Sequence, residues 1–361
     1  MKYLDEFRDA AIARQLIERI RHLSADRKVR FMEVCGSHTV AIYKAGIKGF
    51  FPDIDLISGP GCPVCVTSTR DIDRIIRLTG MPDTVVTTFG DMIRVPGSCS
   101  SLQKEISQGA DVRIVYSPAD ALAVARENPK KRVVFLAVGF ETTAPTIAAA
   151  VLQAQKEGQE NFSILSHHKV IPPAMRALLE GEEVRIDGFI CPGHVSIVIG
   201  AKPYEFIASE YHLPAVITGF EPVDILQALH MLMMQIKGNR PAVEIQYSRV
   251  VKPEGNPLAV QKMEEVFEPS DADWRGLGVI PKSGLAVRKQ FERFDAMRQF
   301  DLSVEEKPDP PGCQCGLILK GLKKPTECPL FGRSCNPHNP VGPCMVSAEG
   351  SCAAAYKYGR G

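Results

Sequence analysis

The chain has 361 residues, 45% hydrophobic and 24% charged, which supplies apolar material for two or three compact domains and excludes a disordered chain. Lys plus Arg number 43 against 42 Asp plus Glu, and a net charge of +1 gives no field to attract nucleic acid or an anionic membrane. The longest apolar runs, VVFLAV at 133–138 and the alanine-rich stretch at 147–152, are too short to span a bilayer.

The N-terminus, MKYLDEFRDA, is charged and lacks the apolar core of an export signal, so the expected compartment is cytoplasmic, where static disulfides are rare. Leu4, Phe7, Ala11, Ile12, Leu16, Ile20 and Leu23 then recur at helical spacing, which predicts one amphipathic helix over 4–24. Beyond it, short apolar strand candidates alternate with helical stretches: FMEV at 31–34, DLIS at 55–58, TVVTTF at 84–89 and VRIVY at 112–116. The alternation restarts after Asn128-Pro129 with RVVFLAV at 132–138, FSILSH at 162–167, DGFIC at 187–191 and PAVITGF at 214–220. Only a helix-length connection returns a chain to the same end of a sheet, so this order predicts parallel strands with crossover helices. Past Gly238 the pattern loosens into a strand at 243–247, a helix at 257–267, a Gly/Pro-rich run from Trp274 to Gly284 and a linker, VEEKPDPPG, at 304–312. The expected fold class is α/β, with two Rossmann-like parallel-sheet lobes facing a cleft and a smaller C-terminal domain. Its boundaries are residues 1–28 for an N-terminal helix packing on the C-terminal domain, 29–129 for lobe I, 130–238 for lobe II and 239–361 for the last domain.

Ligands of open α/β sheets gather at the carboxyl ends of strands, which directs attention to the loops there. CGSHTV at 35–40 ends the first strand in Cys35 and offers Ser37 as a cap for the next helix. A thiol at a helix N-terminus is expected to have a lowered pKa, and His38 stands beside it as a proton donor, acceptor or second ligand. A buried strand-end cysteine with a capping serine is the structural alternative. The second strand ends in SGPGCPVC at 58–65, a C-x-x-C formed by Cys62 and Cys65 on a Gly/Pro turn expected to be exposed. Such a pair can close a small disulfide ring, as in thiol oxidoreductases, with half a zinc knuckle as its rival. FGDMIRVPGS at 89–98, GFETTAPT at 139–146 and GFEP at 219–222 offer Asp91, Arg94, Glu141, Thr142, Thr143 and Glu221 either as cleft residues or as helix caps. SHHK at 166–169 and CPGHVS at 191–196 add His167, His168 and His194, a residue type more often structural than ligating when alone. No G-x-G-x-x-G and no G-x-x-x-x-G-K-[ST] occurs, which removes the best support for dinucleotide binding and P-loop NTPase activity.

The C-terminal tail holds six of the eleven cysteines, Cys313, Cys315, Cys328, Cys335, Cys344 and Cys352, among prolines and glycines. So many thiols in one segment call for metal ligation or disulfides. The tail has one C-x-C followed by singly spaced cysteines, a poor match to the paired knuckles of structural zinc. All-thiolate ligation, with Pro329 and Pro337 close after Cys328 and Cys335, suits a [4Fe-4S] cluster better; zinc and redox disulfides stay open as alternatives.

CGSHT, GPGCPVC, TFGDM-RVPGS, GFETTAP, CPGHVS, TGFEP and GPCMVS-EG-C together resemble the hydrogenase maturation factor HypD family, from the first strand to the last cysteine. Cluster cysteines of that family follow Cys-x14-Cys-x6-Cys-x16-Cys, a spacing reproduced here by Cys313, Cys328, Cys335 and Cys352, while Cys315 and Cys344 fall outside it. The resemblance implies an iron-sulfur C-terminal domain and a scaffold, rather than a turnover enzyme, on which the Fe(CN)2CO unit of [NiFe]-hydrogenase is assembled with a HypC-like small chaperone and a HypE-like cyanide donor. It assigns Cys35 as a thiolate ligand of that transient iron, His38 as its neighbour, and Cys62 with Cys65 as a dithiol/disulfide couple. Thiolates suit soft, low-spin iron, and a cluster relays electrons singly. A cluster beside a C-x-x-C also resembles ferredoxin-thioredoxin reductase, which makes a cluster-dependent thiol/disulfide oxidoreductase the second reading and a zinc-stabilised interaction protein the third.

Overall fold

The computed structural model describes residues 5–25, 27–181 and 183–359, so Leu4 lies outside the described residues. Nine short strands occupy the predicted apolar runs: β1 (Val29–Glu33), β2 (Ile54–Ser58), β3 (Thr84–Thr88), β4 (Val112–Ile114), β5 (Arg132–Ala137), β6 (Phe162–Ser166), β7 (Gly188–Pro192), β8 (Ala215–Thr218) and β9 (Val243–Ile245). They form two parallel sheets, a five-stranded one in the order β2-β1-β7-β8-β9 and a four-stranded one in the order β4-β3-β5-β6. Every residue of β3 and of β7 is buried, as expected of parallel strands covered on both faces.

The strand partners cross the division expected at residue 129. β1 pairs with β7 from far down the chain, Met32 opposite Phe189, which puts β1 and β2 in one sheet with β7 to β9, while β3 and β4 join β5 and β6. A continuous apolar run announces a buried strand but not its neighbour, which is chosen by surfaces distant in sequence. No separate unit begins at residue 239 either, because β9 is the edge strand of the five-stranded sheet. The Gly/Pro-rich run from Trp274 to Gly284 belongs to an antiparallel hairpin, β10 (Phe267–Trp274) with β11 (Gly278–Val287), which bulges between Ser270 and Ala272.

The N-terminal helix, Ala10–Ser24, starts at Asp9, whose carboxylate accepts the amides of Ala11 and Ile12 at 2.7 and 3.1 Å. It packs on the helix Pro222–Gly238, where Ile20 joins Leu226, Leu229 and Leu232, rather than on the C-terminal segment where the expectation placed it. One apolar cluster runs from Met32 and Phe189 of the larger sheet through Ile72 and Ile75 to Val86 and Val134 of the smaller, and on to Leu319 and Met345 of the tail. Among the described residues no helix is long and apolar enough to cross a membrane.

In each sheet the strand order reverses once, between β1 and β7 and between β3 and β5, and the loops leaving those strands form the crevices where α/β proteins place ligands. The loop after β8 closes on the first crevice and is pinned by Asp224, fully buried, whose carboxylate takes both guanidinium nitrogens of Arg249 at 2.7 and 2.6 Å. Arg249 in turn stacks over Phe7 at 3.9 Å and Tyr247 at 4.4 Å. Removing Arg249 strands a buried carboxylate, so Arg249→Ala is expected to lose about 3 kcal/mol of stability, measured by chemical denaturation.

Candidate functional site

β1 delivers Cys35 to the first crevice. The residue is extended, with φ −159° and ψ 121°, and starts the helix Gly36–Lys44. Buried Glu33 reaches back from the strand: one carboxylate oxygen accepts the Cys35 amide at 2.9 Å and the other accepts the Thr39 hydroxyl. Gly36 N–H donates to Gly61 O at 2.9 Å, and a Cβ on Gly61 would collide with the Cys35 amide nitrogen. The CGSHTV and GPGCPVC loops therefore meet backbone to backbone, and only glycine permits that approach.

The lowered pKa expected for Cys35 is not found. Burial pushes its thiol up to about 12, with the charges of Glu349 and Glu33 adding to the effect, while the amides of His38 and Ser37 pull the other way and lose. At neutral pH the residue is therefore an uncharged thiol.

His38 is fully buried, and its Nε2 donates to the carbonyls of Gly219 at 3.0 Å and Thr218 at 3.2 Å, tying the helix start to the end of β8. The proton on Nε2 leaves Nδ1 as the lone-pair nitrogen, which has no partner; burial lowers the ring's pKa to about 4 and keeps it neutral. Phe220 stacks on His38 at 4.6 Å and on His194 at 3.9 Å.

Cys62 and Cys65 are joined by a disulfide with their Cα atoms 5.2 Å apart. Both are buried, contrary to the exposed turn expected, because the turn lies against β1 on one side and the short helix Pro63–Val66 packs on Pro343–Val346 of the tail on the other. Cys65 Sγ lies 4.0 Å from the carbonyl oxygen of Pro343. The tail also closes over Cys35: Ser37 donates to Glu349 Oε1 at 2.6 Å, and a Cβ on Gly36 would stand 2.5 Å from Cβ of Glu349.

Within the tail, Cys313, Cys315, Cys328, Cys335 and Cys352 line one cavity together with Met345 and Phe331. A Cβ on Gly342 would intrude to 2.7 Å from Cys313 Sγ and 2.8 Å from Cys315 Sγ, so glycine keeps that wall open. Cys315 is the hub: hydrogen bonds with the thiols of Cys313, Cys344 and Cys352 hold it well below the ordinary cysteine range, and the same contacts together with burial push those three up. Among the described residues no three or more His, Cys, Asp or Glu side chains stand in a ready metal-binding arrangement. Five sulfurs around a cavity held open by glycine nevertheless fit an all-thiolate iron-sulfur group.

The other strand-end candidates do not converge. Glu141 is buried and caps a different helix, taking the Ile171 amide at 2.9 Å, and burial raises its pKa to about 7. Glu221 holds Arg8 at 2.6 Å and caps Pro222–Gly238, while Thr143 donates to Phe140 O at 3.2 Å and Asp91 and Thr142 lie exposed. Arg94 reaches the candidate site, lining with Ser37, Glu349 and Tyr356 a groove of about 700 Å³ beside the Cys35 loop. Glu33, Phe220 and the hub role of Cys315 were missed from sequence. A charged residue inside the apolar run FMEV was the available signal for Glu33, as the C-x-C was for Cys315.

Because Glu33 fixes the Cys35 amide, Glu33→Ala should raise the alkylation rate of Cys35 by roughly tenfold, followed by mass spectrometry, while Glu33→Gln, which keeps an acceptor oxygen, stays nearer the parent. Equal rates in all three proteins would remove Glu33 as the clamp.

The model of the HypD family, described as "Hydrogenase formation hypA family", matches residues 11–359. The chain is 48% identical over 370 residues to the hydrogenase maturation factor HypD2 of Bradyrhizobium diazoefficiens, covering 100% of this chain and 97% of that protein. It is 49% identical to the hydrogenase expression/formation protein HupD of Azotobacter chroococcum, covering 100% and 97%, and 47% identical to the hydrogenase maturation factor HypD of Escherichia coli, covering 99% and 98%. The motifs at the strand ends and the thiol-lined tail thus sit in a chain that belongs, over its whole length, to the HypD family of hydrogenase maturation factors.

Proposed function

We propose that this chain is the scaffold on which the Fe(CN)2CO unit of a [NiFe]-hydrogenase is built, with Cys35 as its thiolate ligand to that cargo iron. The observation that carries this reading is the closure of the Cys35 and Cys62–Cys65 loops on one another, under the thiol-rich tail. A neutral thiol in a dry crevice is converted to a thiolate by the incoming iron, and soft sulfur suits iron that bears cyanide and CO. His38 acts as a positioning residue, anchoring the first turn of the Cys35 helix to the end of β8.

One thiolate is too few to hold the iron, so a second soft donor comes from a HypC-like small chaperone; the groove lined by Ser37, Arg94, Glu349 and Tyr356 is the surface assigned to it. A HypE-like protein supplies the cyanide. Cys313, Cys328, Cys335 and Cys352, the set that matches the family spacing, are assigned to a resident [4Fe-4S] cluster, which when bound supplies electrons one at a time. Cys62–Cys65 opens to a dithiol by taking up two electrons and two protons, and Cys315 with Cys344, already in thiol contact, forms a second such pair. The site is read as working in the cytoplasm.

Infrared spectra of the complex with the chaperone should show CN and CO stretches that vanish in Cys35→Ala while the brown cluster colour stays. Bands that persist in Cys35→Ala would move the iron to Cys62 or Cys65. Anaerobically purified protein should carry roughly four cluster irons, and Cys328→Ala should bleach it. A Cys328→Ala protein that kept full iron and sulfide would sink the ligand set. The buried Cys62–Cys65 disulfide beside the tail also suits a thiol/disulfide oxidoreductase, which iron and sulfide analysis would favour if no iron beyond the cluster were found in the complex.

A further inference from the structure

At the carboxyl end of β6 the chain buries a group of charges that the assembly chemistry above leaves unused. Lys169 and Asp71 are 2% and 4% exposed, and they pair at 3.2 Å. The same carboxylate faces His167 Nδ1 at 3.3 Å and Arg74 Nη1 at 3.1 Å, so a single anion is shared by two cations and an imidazole. These residues come from the first turns of the helix Thr69–Thr79 and the loop after β6, and hairpin residues Ser270, Asp271 and Asp273 form the facing wall of a cavity of about 190 Å³.

The hydrogen-bond inventory of that wall is incomplete. A lysine carries three N–H donors, and Lys169 Nζ has one carboxylate contact; Nε of Arg70 and Nε of Arg74, both on the wall, are buried and have no partner. Asp71 Oδ1 faces Nδ1 of His167 at 3.3 Å, which favours the ring proton on that side, and Nε2 of the buried ring has no partner. The hairpin carboxylates do not answer the need, because Asp273 is engaged by Arg70 at 3.3 Å and Asp271 accepts the Lys282 amide at 3.0 Å. Buried donors and acceptors in this state destabilise a fold unless something fills them. Two arginines and a lysine argue against a metal cation, and the end of a parallel strand is where an α/β sheet holds small ligands.

We propose that this cavity binds a small oxyanion that carries one hydrogen, of the hydrogenphosphate or hydrogencarbonate type. Its oxygens accept from Lys169, Arg70 and Arg74, and its O–H donates to His167 Nε2. The bare imidazole nitrogen makes the site selective: sulfate has the oxygens but, at neutral pH, no hydrogen to give. The site is independent of the cysteines and of any cluster.

Calorimetric titration of the full chain at pH 7 with inorganic phosphate, hydrogencarbonate and sulfate tests it. Saturable binding of phosphate or hydrogencarbonate is expected, with sulfate at least tenfold weaker, and Arg70→Gln and Arg74→Gln, each with its fold checked by circular dichroism, should weaken binding roughly tenfold. Whichever of the first two anions binds more tightly identifies the source of the oxyanion. The proposal fails if the folded parent protein binds none of the three, or if both arginine variants bind as the parent does. Sulfate binding as tight as phosphate would overturn the role given to His167.

Discussion

A Cβ on Gly36 would stand 2.5 Å from Cβ of Glu349, and one on Gly61 would collide with the amide nitrogen of Cys35, so the loops around the candidate thiol close only on glycine. That crowding expels water from the crevice and brings three distant pieces of chain together: the end of β1, the end of β2 and the tail. Gly350 serves the same purpose inside the tail, where a Cβ would collide with the carbonyl oxygen of Cys344. The glycines of these motifs thus set the dielectric of the site as well as its shape.

Dryness decides the chemistry of Cys35. A helix N-terminus stabilises a thiolate by a fraction of what desolvation removes, and here Glu349 and, when ionised, Glu33 push the same way as burial. Such a thiol resists adventitious alkylation and oxidation. Glu33 accordingly has two effects. Its carboxylate fixes the Cys35 amide at 2.9 Å, and its charge discourages the free thiolate.

The tail is held to the sheets through backbone and thiol contacts. Pro343–Val346 lies on the Cys62–Cys65 turn, Ser351–Tyr358 lies on Gly36–Lys44, and Cys315 gathers Cys313, Cys344 and Cys352 around its sulfur. Every tail cysteine is at least partly buried, so the sulfurs form a continuous apolar body with Met345 and Leu319 rather than a solvent-exposed fringe. Two groups of cysteines far apart in sequence thereby lie close together in space.

The sequence by itself determined the nine parallel strands, the motif loops at their carboxyl ends, the thiol density of the tail and the family, because each is carried by local periodicity or by residues read in order. It could not assign strands to sheets: β1 and β7 pair through Met32 and Phe189, and nothing in FMEV or DGFIC names the other. Nor could it tell that the Gly/Pro turn of Cys62 and Cys65 is covered, since those residue types mark turns whether or not another segment packs on them. Protonation was equally out of reach. The helix end beside Cys35 is visible in CGSHTV, but the Glu349 charge that helps to overrule it arrives from the far end of the chain, and Lys169 reaches Asp71 across 98 residues to make one cluster with His167. Tertiary structure alone decided these points, because desolvation and charge pairing depend on neighbours in space.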